Sequence, residues 1–142
     1  MFIRQADPAD SAAIVDLRSI LDLDRQEWLR GHVAAGEVLI ASDEGDAILG
    51  YVVVDHSFFE RGFVQLLFVA ESARRSGVGA RLLAEAVERA RPARVFTSTN
   101  LSNSPMHALL AKAGWTSAGM VEGLDEGDPE VFYFIDRAGN VR

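Results

Sequence analysis

The sequence contains no cysteine. Disulfides, thiolate nucleophiles and cysteine-based zinc sites are therefore excluded, and the absence is typical of proteins kept in a reducing cytosol. The chain also lacks an apolar run long enough to span a bilayer, and its first residues, MFIRQADPAD, lack the basic-then-apolar layout of a secretory signal. We therefore expect a cytoplasmic protein with no membrane partner.

Basic residues are in the minority, with 14 Lys and Arg against 21 Asp and Glu and a formal net charge of −7. Binding to nucleic acid depends on clustered Lys and Arg that neutralise phosphates, so we expect no nucleic-acid partner. The 3 histidines are scattered without an i, i+4 pair, which predicts no metal site. The acidic balance is compatible with a cationic small substrate, although it is also a common solubility feature.

Internal repeats, linkers and low-complexity segments are also missing from the sequence. A chain of 142 residues with 49% hydrophobic content is long enough for one well-buried core and too short for two ordinary domains. We therefore predict a single domain over residues 1–142.

The most informative stretch is residues 63–90, FVQLLFVAESARRSGVGARLLAEAVERA. Residues 63–70 form a short apolar run rich in β-branched and aromatic side chains, which predicts a buried strand. The apolar residues that follow recur at three- and four-residue spacing, which predicts one face of a helix. This face consists of Val78, Leu82, Leu83, Ala86, Val87 and Ala90.

Residues 74–80 join this strand to this helix. The first backbone N–H groups of a helix have no intrahelical partners, and small residues leave them open to a phosphate oxygen. The helix dipole and two arginines favour the same negative ligand. The predicted phosphate-binding residues are Arg74, Arg75, Ser76, Gly77, Val78, Gly79 and Ala80.

Two other glycine-rich motifs fit this segment less well. A Walker A loop needs G-K-[ST] after its glycines, and none is present. A Rossmann fingerprint needs a third glycine three residues after Gly79, where Leu82 stands.

The remaining periodicities complete the order β-α-α-β-β-β-α-β-α-β-β. Asp7 and Pro8 predict the first helix start, and Asp22 or Asp24 the second. Residues 47–54 predict a strand buried on both faces, followed by a loop over residues 55–62. Residues 94–99 predict a fifth strand, Ser104 is expected to cap the last helix, and residues 115–121 and 130–135 predict the final two strands.

Two motifs lie in register along the chain. Val69 stands five residues before Arg74, which is followed by Gly77 and Gly79, and Asn103 is followed eleven residues later by Gly114 and then Trp115. These motifs resemble those of the GNAT superfamily of acetyltransferases. Arg74, Gly77 and Gly79 fit its acyl-CoA-binding signature, Val69 stands where its fourth strand ends, and the spacing from Asn103 to Trp115 is common in it. The resemblance implies an α/β fold, a central mixed sheet of about seven strands flanked by four helices, with strands four and five splayed apart.

The resemblance further implies an acetyl-CoA-dependent N-acetyltransferase, acting on a primary amine of a small molecule or peptide, without a metal. The backbone of Phe68 and Val69 would bind the pantetheine arm, residues 74–80 the pyrophosphate, and Asn103 the arm near the splay. The Val69 N–H is the expected donor to the oxyanion that forms during transfer.

The sequence departs from the family at two positions. Leu110 stands where many members have a tyrosine that acts as general acid, and Ser98 where some have a glutamate base. An acyl-CoA-binding or sensing module with little turnover therefore stays an alternative. His107 is a candidate proton carrier, although a surface histidine is the simpler interpretation.

The candidate residues for binding the acceptor substrate come from two segments of the chain. Gln65 on the fourth strand is a candidate substrate-binding residue, and the acidic loop offers Asp125, Glu126 and Asp128 to a cationic substrate. Such a loop is also ordinary solvated turn chemistry. Together with a free sheet edge it is alternatively a homodimer surface. The loop resembles that of a bacterial subgroup of the family.

Overall fold

Seven strands and four helices make up the part of the chain that the computed structural model describes, residues 1–18, 21–90 and 94–136. Short 3₁₀ turns precede α1, at Pro8–Asp10, and α3, at Glu71–Ala73. No helix within these ranges is both long and apolar enough to cross a bilayer. The elements are β1 Phe2–Gln5, α1 Ser11–Leu17, α2 Leu23–Ala34, β2 Val38–Ser42, β3 Ile48–Phe58, β4 Arg61–Val69, α3 Val78–Arg89, β5 Arg94–Asn100, α4 Ser104–Lys112, β6 Thr116–Val121 and β7 Glu130–Asp136.

The strands form one sheet in the order β1-β2-β3-β4-β5-β7-β6. The pairs β1–β2, β2–β3, β5–β7 and β6–β7 are antiparallel, whereas β4 and β5 are parallel. Because the parallel pair is joined through α3, the connection is a crossover helix, as parallel strands require. The mixed sheet and its four helices confirm the predicted fold.

The chain divides into two compact units. The first comprises Met1–Val54 and Leu66–Ala86, and the second comprises Asp55–Gln65 and the chain from Val87 onwards. The expectation of a single domain stays a prediction.

The first unit has a core of aliphatic side chains around β2 and β3. Asp7 caps the turn before α1, its side chain accepting from the Ala9 N–H at 2.9 Å, and Asp22 caps α2 in the same way. These caps fix where each helix begins and so which side chains point inward. The buried residues are Ala6, Ile14, Val15, Leu29, Val33, Val38, Ile40, Tyr51 and Val53.

Gly50 allows a close approach within the first unit. A Cβ atom added there would lie 2.6 Å from the Phe68 carbonyl oxygen and 3.3 Å from Leu82 Cδ1. A backbone oxygen cannot move aside as a flexible side chain can. Glycine is therefore required for the end of β4 to lie this close to β3 and α3.

The second unit has a sheet with two unlike faces. The β5–β7 register runs without interruption from Arg94↔Asp136 to Asn100↔Glu130, so alternate residues of both strands share a face. One face, with Thr97, Thr99 and Val131, is buried, and α4 lies against it. The other face is half-buried to exposed, and consists of Arg94, Phe96, Ser98, Asn100, Glu130, Phe132, Phe134 and Asp136.

Two local predictions were wrong. The loop expected over residues 55–62 is instead the continuation of β3 to Phe58, a two-residue turn and the start of β4. The turn residues Phe59 and Glu60 have positive φ, 52° and 65°, as type I′ turns do, without the usual Asn or Gly. The cap of α4 is Asn103, whose side chain accepts from the Met106 N–H, and not Ser104.

Candidate functional site

The end of β4 is joined to the following segment by a side-chain bond. The Nε–H of Arg74 donates to the carbonyl oxygen of Val69 over 3.1 Å. The Arg74 side chain therefore folds back on the strand and ties the start of residues 74–80 to the last residue of β4.

The free backbone edge of β4 follows from strand geometry. The Ala70 N–H donates to the Leu49 carbonyl of β3 at 2.8 Å. Successive residues of an extended chain turn their backbone polar groups to opposite edges, so the Val69 N–H points away from β3. The Phe68 carbonyl lies close to Gly50 of β3, in agreement with this alternation. Val69 therefore presents its backbone to the outer edge of β4, whereas Phe68 presents its backbone to β3, and the cofactor contact of either residue stays a prediction.

The first backbone N–H groups of α3 have no partner within the helix. The Arg81 N–H donates to the Gly77 carbonyl at 3.1 Å, so the N–H groups of Val78, Gly79 and Ala80 belong to the first turn. Gly77 is exposed with φ +86°, and a Cβ added there meets nothing within 4 Å. An oxyanion can therefore approach this turn, and the segment fits a bound phosphate.

The other residues of this segment support the same shape. Arg75 is exposed and also has a positive φ, 66°, so the chain reverses over two left-handed residues, Arg75 and Gly77, which are separated by Ser76. The Ser76 hydroxyl donates to the Ala73 carbonyl. Ser76 therefore stabilises the turn, and the guanidinium of Arg75 stays in solvent beside it.

The pairing of β4 with β5 is short. The parallel register joins Gly62, Phe63 and Val64 to Val95, Phe96 and Thr97, and within the described residues it ends there, although β5 continues to Asn100. At the last pair, the buried Thr97 hydroxyl donates to the Val64 carbonyl at 2.9 Å. A side chain thus satisfies the backbone where the ladder ends.

Asn103 is held by its own helix. Its side-chain oxygen accepts from the Met106 N–H at 3.3 Å, and its Nδ2 donates to the Thr99 hydroxyl at 2.9 Å. Its first role is therefore to fix the start of α4 against β5, and its cofactor contact stays a prediction.

His107 lies between α4 and the sheet. Its Nε2 is 3.0 Å from the Asn100 carbonyl and its Nδ1 is 2.6 Å from the Tyr133 hydroxyl. A carbonyl only accepts, so Nε2 carries hydrogen, and in the neutral ring Tyr133 donates to Nδ1. His107 is half-buried and not the surface histidine of the simpler interpretation.

The four candidate acceptor residues fall into two places. Gln65 donates to the Ser57 hydroxyl at 2.7 Å and lies 3.3 Å from the buried Asp55 carboxylate. The acidic loop is fastened to the end of β5: Asp125 accepts from Asn100 at 2.8 Å, and Asp128 accepts from the Ser102 N–H at 3.0 Å. Glu126 is exposed.

Two polar residues of β7 were missed by sequence reasoning. Tyr133 meets His107, and Glu130 accepts from the Ser98 hydroxyl at 2.7 Å. Ser98 and Glu130 lie 32 positions apart in sequence, and only the pairing register of β5 with β7 brings them together. Leu110, at the position of the missing tyrosine, is fully buried and so part of the core.

Comparisons with known proteins agree with this geometry. The sequence profile of the Acetyltransferase (GNAT) family matches residues 7–115. A GNAT-family acetyltransferase structure from Bacillus cereus ATCC 10987 is 29% identical, covers 96% of both chains and has a TM-score of 0.88. The structure of yncA from Salmonella typhimurium, with its cofactor acetyl-CoA, is 22% identical over 100% of this chain and 96% of that one, with a TM-score of 0.78.

A further solved structure is also similar to this chain. The ribosomal-protein-alanine N-acetyltransferase of Brucella melitensis is 22% identical, with 96% of this chain and 99% of that one covered and a TM-score of 0.69. No curated protein sequence matches this chain. The family profile covers most of the chain, and the strand, turn and helix that carry its signature are in place. The chain therefore belongs to the GNAT family of acetyltransferases.

Proposed function

We propose that this protein transfers the acetyl group of acetyl-CoA to a primary amine of a small molecule or peptide. Acetyl-CoA, when bound, supplies an acetyl thioester, and the protein holds it and receives the amine. The solved relative that carries acetyl-CoA supports the choice of co-substrate. The relative whose name gives a protein alanine as acceptor supports an amine as the other substrate.

The observation that carries the proposal is the set of open N–H groups at the start of α3, next to a strand end whose backbone faces outward. Residues 74–80 would hold the pyrophosphate, because first-turn N–H groups without intrahelical partners and the dipole of a 12-residue helix favour a multiply charged anion. The outward Val69 N–H would donate to the acyl oxygen, since a fixed donor needs no reorganisation as charge develops.

The reaction also requires proton transfers. An alkyl ammonium has a pKa of about 10, so its nitrogen must lose a proton before it attacks. Leu110 and Ser98 carry no acid or base group. We keep His107, with Tyr133 bonded to it, as the candidate proton carrier for the thiolate that departs.

The test is thiol release from acetyl-CoA across a panel of primary amines, together with calorimetric binding of CoA. We expect CoA to bind and at least one amine to release thiol above the hydrolytic background. Failure of CoA to bind would contradict the proposal.

One observation favours a second function. The general-acid position is a fully buried leucine, so the chain lacks the usual proton donor there. An acyl-CoA-binding module with little turnover would have this composition. Binding of CoA without thiol release on any amine would establish that alternative.

A further inference from the structure

The half-buried to exposed face of β5 and β7, which runs from Arg94 and Asp136 to Asn100 and Glu130, carries a carboxylate and an aromatic ring at each end. At one end Arg94 forms a two-point ion pair with Asp136, with distances of 3.0 and 3.4 Å. The Arg94 guanidinium also lies 4.2 Å from the centre of the Phe134 ring. This end therefore combines a carboxylate, an aromatic ring and a cation.

The opposite end has a carboxylate and a ring, and no cation of the described residues pairs with that carboxylate. Glu130 lies diagonally across from Ser98, and Phe132 is the register partner of Ser98 on the same face. The Ser98 hydroxyl holds one carboxylate oxygen of Glu130 at 2.7 Å. Among the described residues, no Lys, Arg or His forms an ion pair with Glu130, so its second oxygen has no charged donor.

The apolar part of this end is a group of phenyl rings. Phe58 is 5.6 Å from Phe132, 5.1 Å from Phe96 and 5.1 Å from Phe63, measured between ring centres. Phe58, Phe96 and Phe132 are only half-buried, so their rings remain partly accessible beside the carboxylate. A partly exposed aromatic surface next to an oriented carboxylate is suited to an ammonium group on an apolar body.

Glu130 is held close to the end of the β4–β5 pairing. Thr97 and Val64 form the last register pair of β5 with β4, and Ser98 is the next residue of β5. The Glu130 carboxylate is thus held at the residue directly after the point where the two strands stop pairing.

We infer that Glu130 binds the ammonium group of the acceptor, and that Phe58, Phe96 and Phe132 select amines carried on an alkyl or aryl group over amines on polar groups. This inference rests on the proposed acetyl transfer and adds the substrate class to it. Ser98 is a positioning residue, since it holds the carboxylate and does not contact the acceptor.

The test compares benzylamine, n-butylamine and ethanolamine as acceptors with acetyl-CoA. Glu130→Gln keeps a group that can bond Ser98 and removes the charge. We expect it to raise the KM for benzylamine about ten- to hundredfold, the effect of losing a charge-assisted hydrogen bond, with CoA affinity unchanged. The wild-type protein should prefer benzylamine and n-butylamine to ethanolamine.

Matched variants separate this role from a general effect. Glu122→Gln makes the same charge change at an exposed residue after β6 and should leave KM unchanged. Ser98→Ala should raise KM less than Glu130→Gln does, and Ser98→Thr, which keeps the hydroxyl, should restore it. Phe132→Leu should reduce the preference for benzylamine over ethanolamine.

The outcomes distinguish the inference from the proposed function. If wild-type protein releases thiol and Glu130→Gln matches Glu122→Gln, the inference is wrong while acetyl transfer stands. If no amine releases thiol, the proposed function is wrong, and calorimetric binding of benzylamine to the CoA complex still tests the site. If the wild-type and Glu130→Gln proteins then bind benzylamine equally, the inference is wrong. A tenfold weaker affinity in the Glu130→Gln protein would support the inference.

Discussion

Arg74 and Val69 are joined by a hydrogen bond from the guanidinium Nε–H to the strand carbonyl, over 3.1 Å. This bond connects the last residue of β4 with the segment that we expect to hold pyrophosphate. Arg74→Ala should therefore weaken CoA binding about five- to tenfold, because the bond involves a charged donor. Arg74→Gln keeps an N–H donor and should retain more of the affinity.

Calorimetric titration with CoA measures this difference. Arg30→Ala, which removes the same charge from an exposed position of α2, is the control and should bind CoA as the wild-type protein does. Equal weakening by both variants would mean that net charge, and not this bond, is responsible.

Gly77 and Gly114 give a matched pair of substitutions. Both have positive φ, 86° and 88°, and a Cβ at either position meets nothing within 4 Å. Each change to alanine should cost about 1–2 kcal/mol of unfolding free energy, from left-handed strain alone. Only Gly77→Ala should also weaken CoA binding, because a methyl group would stand where the phosphate approaches.

Urea denaturation and CoA titration of both variants separate the two effects. Undiminished CoA affinity in Gly77→Ala, at a stability equal to that of Gly114→Ala, would contradict the placement of the pyrophosphate.

Gly50 should be the least replaceable glycine of the first unit. The 2.6 Å approach of its hypothetical Cβ to the Phe68 carbonyl requires a shift of backbone. Gly50→Ala should therefore destabilise the protein by about 1–3 kcal/mol, the usual cost of overpacking. Gly31→Ala, in α2 with nothing within 4 Å, should instead stabilise by about 0.5–1 kcal/mol. Thermal or urea unfolding of the two variants gives the comparison, and a neutral Gly50→Ala would refute the steric argument.

The ion pair of Asp10 with Arg4 should make part of the unfolding free energy depend on pH in the acid range. Its hydrogen bond with Arg4, which has distances of 2.8 and 3.0 Å, lowers the pKa of the Asp10 carboxyl below its ordinary value. A depressed folded-state pKa contributes stability above the unfolded pKa of about 4, and this contribution is lost as the pH falls through the folded value.

Asp10→Asn keeps an oxygen that can accept from the Asp7 N–H and removes the charge. We expect it to be less stable than the wild type at pH 7 and to approach wild-type stability near pH 3, as urea titrations at the two pH values will measure. If the difference in unfolding free energy between the two proteins is the same at both pH values, the charge of Asp10 is not its cause.

The His107 ring should carry hydrogen on Nε2 in its neutral form. The Asn100 carbonyl can only accept, and the Tyr133 hydroxyl then donates to Nδ1. Nitrogen NMR of the labelled imidazole identifies the tautomer. If His107 carries a proton during turnover, Tyr133→Phe and His107→Gln should both lower kcat and alter its pH profile. Unchanged profiles in both variants would leave His107 a purely structural residue.

Local patterns predicted most of the fold because periodicity and caps act over a few residues. Asp7, Asp22 and the apolar stripe of α3 are examples. The extension of β3 was missed because Asp55, His56 and Ser57 read as a polar loop. Asp55 is buried instead, with Ser57 and Gln65 as hydrogen-bond partners. Tertiary hydrogen bonds thus override a local preference.

The candidate site divides in the same way. Residues 74–80 are contiguous, so their spacing in sequence already describes the turn. Glu130 and Ser98 come from different strands, and Tyr133 meets His107 from another element. Such neighbours depend on register between distant segments, which no local pattern specifies.

The turn at the tip of β3 and β4 has a practical consequence. Phe59 and Glu60 bear full side chains in a backbone shape that glycine adopts with less strain, so the turn itself contributes little to aligning the two strands. Alignment is then decided by the strands. Phe59 is 78% exposed, but its ring lies 5.0 Å from that of Phe58, a member of the proposed aromatic group. A fluorescent reporter is accordingly better attached at the exposed Glu60 than at Phe59.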